Sequence, residues 1–496
     1  MPEVRQVTRL CGMSEQEPDL LDPEAIDTTV RSPQRRHRTF AGILVNTALA
    51  NITTSYLWFA LTFWVYLQTR NVIATGVIGG AYMLLIALSS ISFGTFVDRY
   101  RKLPVMRFAA GFTLVMFLVS GVVFLLTPTS WLLDLTRPWF WLFTVIILTG
   151  AVVENLRNIA LSTTVTILIE PDRRANANGL VGMVQGLMFI VTSVLSGLSV
   201  GLLGMGWTIV IALSLTALAF GHLLSLSMPE EVRAAATDAH GGFDLRGSLA
   251  AVMAVTGLFA LIVFSTFNNL IGGVYMALMD PYGLELFPVE MWGIWFAVGS
   301  TGFIVGGALI GKFGLGANPL RTMLLAVIAM GALGAVFTVR EWAWLYIVGI
   351  WLYLVLIPFV EAAEQTVIQR VVPLPRQGRV FGFAMAFESA AAPITAFLIA
   401  PIAEFWLIPY ARTAEGSARL APLLGEGTSR GIALVFLVAG VIMIAAAALA
   451  FLAPVYRRVS ATYAATAAAD TVADTTGTAA VAADESPDDS APPPRA

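Results

Sequence analysis

The chain has 496 residues, 57% of them hydrophobic and only 12% charged, with a mean hydropathy of +0.79. Soluble domains carry about 45–50% apolar and about 25% charged residues, so a soluble globular protein is excluded and most of the surface is expected to meet lipid. A net charge of −3 offers no basic surplus for nucleic acid. One cysteine (Cys11) and three histidines (His37, His222, His240) exclude disulfides and thiolate metal sites and argue against a zinc site.

Residues 1–38 lack the apolar core of a signal peptide, and the basic run Arg31–Arg38 stands immediately before the first apolar segment. This pattern predicts a flexible cytoplasmic tail. Apolar runs long enough to cross a bilayer follow. They number twelve: 41–67, 73–97, 105–127, 139–169, 179–203, 206–228, 248–270, 290–312, 319–339, 343–372, 380–408 and 430–454.

Most of the 29 Lys and Arg residues fall on the side shared by both termini, whereas Arg70, Arg137, Arg340, Arg412, Arg419 and Arg430 fall on the other. The positive-inside rule therefore puts both termini in the cytoplasm of a plasma (inner) membrane protein. The Gly-, Pro- and Asp-interrupted stretch Asn268–Glu290 is expected to be a structured outer loop, with a re-entrant segment as the alternative. The polar segment 229–247 divides the chain into six-span halves, 39–228 and 248–455. The Ala/Thr/Asp/Pro-rich end, 456–496, is expected to be disordered.

A weak internal repeat relates the halves. Pro171 matches Pro373, Gly179 matches Gly382, and Gln185 matches Glu388. Between spans two and three, FGTFVDRYRKLPVMR (Phe93–Arg107) has the order Gly-x-x-x-Asp-Arg-x-x-basic, carried by Gly94, Asp98, Arg99 and Lys102, with Arg101 adding a further charge. Gly307-x-x-x-Gly311-Lys312 repeats it in worn form, with glycine where Asp98 stands.

This loop and the six-plus-six arrangement resemble the major facilitator superfamily over residues 40–455. The stretch PDRRANANGLVGMVQG looks like the macrolide-efflux type of proton-coupled drug exporter. The resemblance implies an all-α membrane protein with twelve helices in two pseudo-symmetric six-helix bundles, working by alternating access, with monomer as the usual state. It also implies that Asp98 latches the inner side by pairing with basic residues and the start of span eleven. The plainer alternative is an ordinary positive-inside loop.

Charged groups inside spans are costly in lipid and functional by default. In span four, Glu154, Arg157 and Asn158 share a helical face. They read as a proton or substrate site, or as a self-neutralising pair between helices. Glu361 and Glu364 in span ten and Glu388 in span eleven have no obvious cation within their spans, which makes them candidate proton carriers; the alternative is solvation in an inner vestibule. Asn51 in span one and Gln185 in span five are candidate substrate contacts.

The expected partners are a small-molecule substrate, protons and the lipid bilayer, with no cofactor, no metal and no nucleic acid. No nucleophile–base pair or nucleotide-binding glycine loop appears, so the chain is read as a transporter rather than an enzyme. The predicted function is proton-driven efflux of hydrophobic or amphipathic small molecules. The competing readings are a dedicated exporter or importer of one endogenous metabolite, such as a siderophore or lipid, and a non-transporting sensor or assembly protein.

Overall fold

A computed structural model describes residues 33–69, 72–228, 244–425 and 430–468. Residues 1–32, Arg70, most of the central linker (229–243) and the last residues (469–496) lie outside the described residues, and with them most of the two tails expected from the sequence.

Among the described residues there is no strand. Twelve long helices carry the fold: α1 (Pro33–Thr69), α2 (Val72–Arg99), α3 (Lys102–Leu126), α5 (Pro138–Leu168), α6 (Arg174–Leu198), α7 (Gly204–Ser225), α9 (Leu258–Leu286), α10 (Val289–Phe313), α11 (Pro319–Val336), α12 (Ala343–Val371), α13 (Leu374–Ile402) and α16 (Arg430–Leu452). Short helices α4 (Thr129–Leu132), α8 (Leu245–Met253), α14 (Ile408–Arg412) and α15 (Ala414–Leu424) fill the connections. Ten helical runs are long and apolar enough to cross a membrane; one, Pro171–Ser225, contains both α6 and α7.

The packing is inside out relative to a soluble protein. Leu125 is 83% exposed and Leu452 79%, whereas Arg157 is fully buried. With no water in the hydrocarbon layer, helices are the form that satisfies every backbone group locally. Elements end where local chemistry ends them. Pro138 and Pro319 start α5 and α11, and the Asn318 side chain accepts from Arg321 N at 3.1 Å. Gly314, with φ of 70°, closes α10.

Helices α1, α2, α3, α5, α6 and α7 pack into one half, and α9 to α13 with α16 into the other; the halves meet chiefly along α2/α13 and α6/α10. Glycines permit both approaches. A Cβ on Gly94 would lie 2.3 Å from the carbonyl oxygen of Gly378, and one on Gly307 would lie 2.3 Å from the nitrogen of Met183.

Three expectations are corrected. Asn268–Glu290 is neither a loop nor re-entrant: α9 runs unbroken to Leu286 with Pro281 inside it. Packing overrides the breakers, since Ile271, Val274, Tyr275, Leu278 and Tyr282 are buried, the Tyr275 hydroxyl donates to Phe436 O at 3.1 Å, and Asp280 accepts from the Trp292 indole at 2.9 Å. The break falls earlier, at Gly257 with φ of 85°, so the seventh span is 258–286 rather than 248–270. The expected disordered tail opens with a helix over 454–468, because Tyr456, Val459 and Tyr463 form an apolar stripe at helical spacing that packs on the second half. At the other terminus the helix already begins at Pro33, so residues 33–38 belong to α1 rather than to a tail.

Candidate substrate and coupling sites

The Phe93–Arg107 stretch ends α2 and starts α3. Asp98 Oδ1 accepts from Gly378 N at 2.6 Å and Oδ2 from Arg379 N at 2.8 Å, both near the start of α13. A helix N-terminus carries positive partial charge, so an anion is held well there. Of the neighbouring basic residues, Lys102 is buried and donates to Val97 O at 2.7 Å, closing the end of α2, while Arg99 and Arg101 face solvent. The Arg379 side chain reaches instead to Asp244, 3.9 Å away, which caps α8.

More bonds between the halves lie at this same end, the Asp98 face. Asn178 Nδ2 donates to Thr366 and to Gln369, both at 2.9 Å. Gln369 Nε2 donates to Ser162 O at 2.9 Å, and Arg174 donates to Gln369 O at 3.0 Å. Arg370 contacts Asp172 at 3.4 Å, and its guanidinium lies 5.1 Å from the Tyr463 ring centre. Together these close the Asp98 face. Asn178 and the second helix's partner, Thr366, were not visible in the sequence as a set, because their meeting depends on the packing of α6 against α12.

At mid-depth, Glu154 and Arg157 of α5 form a buried ion pair. Arg157 also donates to Asn46 of α1, whose amide donates to Ala219 O of α7 at 2.7 Å and lies 3.1 Å from His222 Nδ1. Thr113 of α3 donates to Glu154 Oε2 at 3.3 Å. The pair is thus built into four helices. Neither Thr113 nor His222 carried a signal in the sequence, since a lone Thr or His on an apolar helix has many uses.

Beside the pair lies a cavity of about 170 Å³ lined only by the first half, from α1, α2, α5 and α6. It holds both candidate contacts, Asn51 and Gln185, with Glu154, Asn158 and their span-four neighbour Asn155; Tyr82 is an addition. Asn51 Nδ2 donates to Asn158 Oδ1 at 3.0 Å, and Asn158 Nδ2 donates to Asn155 Oδ1 at 3.2 Å. Tyr82 stands beside Asn155 in the wall.

The second half supplies carboxyls instead. Glu364 of α12 is buried, 7% exposed, and lies beside Glu388 of α13 and Ser265 of α9; the Ser265 hydroxyl and one oxygen each of Glu364 and Glu388 have no hydrogen-bond partner among the described residues. Glu361, one turn away, is exposed. Two like charges held together in a low-dielectric interior repel each other. Among the described residues no three His, Cys, Asp or Glu side chains converge as metal ligands.

The fold has known relatives. Over most of its length the chain is similar to a bacterial homologue of the iron transporter ferroportin, solved outward-facing with soaked iron: TM-score 0.57, 15% identity, 82% of this chain and 98% of that one. It is similarly like the human organic anion transporter MFSD10 (TETRAN), with TM-score 0.59, 15% identity, and 82% and 99% of the two chains covered. No curated protein sequence gives a significant match. The Major Facilitator Superfamily model matches residues 43–396. With twelve helices in two halves and that match across most of its length, the chain belongs to the major facilitator superfamily of membrane transporters.

Proposed function

We propose that this transporter is a proton-coupled exporter of amphipathic small molecules, working by alternating access as a monomer in the plasma membrane with both termini in the cytoplasm. The observation that carries the reading is the cluster of Glu361, Glu364 and Glu388, in which one oxygen each of Glu364 and Glu388 is buried without a hydrogen-bond partner among the described residues. A proton on one of these carboxyls relieves their mutual repulsion, so the cluster can load and release one. In this reading Glu361 passes protons between solvent and the other two. Asp98, Gly94 and the basic loop residues Arg99, Arg101 and Lys102 form the inner gate, and the cavity at Asn51, Asn158 and Gln185 takes the cargo. The division at residues 229–247 separates the two moving bodies.

The test is a growth assay of an efflux-deficient bacterium on a compound panel, comparing wild type with Asp98→Asn, Glu154→Gln and Glu361→Gln at matched membrane expression. Resistance that is lost in the variants supports the reading. No resistance from correctly inserted protein overturns export of several compounds. The polar cavity wall favours one narrower version, a dedicated exporter whose cargo offers hydrogen-bonding groups, and a response confined to a single compound class identifies it.

A further inference from the structure

The two halves divide their polar groups unequally. All residues lining the mid-depth cavity belong to α1, α2, α5 and α6, and its one acidic residue, Glu154, is neutralised from behind by the fully buried Arg157. The wall is therefore without net charge. What it offers is amide and hydroxyl groups already oriented by one another: Asn51 bonds Asn158, Asn158 bonds Asn155, and Tyr82 stands beside Asn155. Each amide has two donors and an acceptor of two lone pairs, so this ladder leaves donors and acceptors over. Gln185 and Ser55 complete the wall and hold no hydrogen bond to any described residue. Met188 and Ala151 supply an apolar patch, and Trp58 stacks on the far side of Tyr82 with ring centres 4.7 Å apart.

A cation entering this wall would meet no free carboxylate, and an anion no free guanidinium. Either would lose its hydration without a compensating charge. A neutral molecule with amide, hydroxyl or similar groups exchanges its water for bonds to a mixed wall at little cost. We infer that this cavity recognises an uncharged molecule carrying both hydrogen-bond donors and acceptors next to an apolar part, and that selectivity resides in the first half alone. The inference rests on the transporter reading above but not on its proton coupling.

Thermal stability of the purified full-length protein, measured without any gradient, therefore separates the two. The panel is one scaffold in three charge states: N-acetyl-phenylalaninamide (neutral), phenylalaninamide (cationic) and N-acetyl-phenylalaninate (anionic), extended with matched neutral, cationic and anionic aromatic amides. Stabilising compounds are expected among the neutral members. Their affinity should fall at least tenfold in Asn158→Ala and in Gln185→Ala, with the ligand-free melting temperature unchanged in Gln185→Ala. Binding dominated by ions, binding indifferent to both substitutions, or no stabilisation by any member overturns the inference. Neutral binding without any response to a pH gradient in liposomes would retain it and remove proton coupling instead.

Discussion

Arg157 shows what one residue can demand of its surroundings. A guanidinium with no exposure to solvent survives only because Glu154 and Asn46 meet it. Removing one partner of a buried pair costs about 3–5 kcal/mol, while replacing both by apolar groups is often close to neutral. Arg157→Met should therefore lower the melting temperature of the detergent-solubilised protein sharply, and the double variant Glu154→Leu/Arg157→Met should recover most of the loss. Equal destabilisation by both would show that the pair contributes net stability.

Asp98 makes a different demand, because its partners lie in the other half. A hydrogen bond to a charged group contributes about 1.5–3 kcal/mol. Asp98→Asn keeps one acceptor and loses the charge, so closure of this face should weaken by about 2 kcal/mol, roughly 30-fold in population. Distances between spin labels at the exposed positions Arg101 and Arg376 would report it as a longer second population. Sequence spacing could single out Asp98 because a lone acid in a basic loop is conspicuous. It could not single out the backbone N–H groups of Gly378 and Arg379, which leave no mark in side-chain identity.

At the scale of elements, the helices were legible and some of their ends were not. Long apolar runs are forced to be helical by the solvent, which is why eleven of the twelve expected spans largely coincide with their helices. The seventh failed because Gly272, Gly273, Asp280 and Pro281 look like breakers one at a time, whereas Tyr275 and Trp292 compensate them through partners distant in sequence. The helix over 454–468 failed for the opposite reason: its composition is that of a loose tail, and only the spacing of Tyr456, Val459 and Tyr463 reveals a face.

That helix supports Arg370 through Tyr463, and Arg370 in turn reaches Asp172 of the other half. A cation–π contact of this kind contributes about 1 kcal/mol. Tyr463→Ala should thus loosen the Asp98 face about fivefold in the same spin-label measurement, with the fold intact by circular dichroism. The glycines at the α2/α13 crossing act more severely. A side chain at Gly382 would put a Cβ 2.3 Å from Ser90 O, and backbone cannot yield as a side-chain tip does. Gly382→Val should hold the helices apart, abolishing transport while leaving membrane insertion normal.

For the molecule as a whole, the internal repeat becomes a comparison of two seams. At the α2/α13 seam a carboxylate of the first half accepts from backbone N–H groups of the second. At the α6/α10 seam the polarity is reversed: Asn176 Nδ2 donates to Gly311 O at 3.0 Å and to Ile310 O at 3.3 Å. Gly94 and Gly307 stand in matching places, and where the first copy has Asp98 the second has Gly311, whose backbone carbonyl takes part instead. The sequence displayed this difference as a worn motif. What the wear does was legible only once α6 and α10 lay side by side, because the compensating residue, Asn176, belongs to neither copy of the motif.

An amide cannot gain or lose a proton in the physiological range, and a carboxylate can. The two seams therefore differ in kind, as the two edges of a door do. The Asn176 edge keeps its grip whatever the local acidity and can serve as the side on which the halves pivot. In the proposed cycle the Asp98 edge weakens when its charge is lost, so it is the side fitted to release.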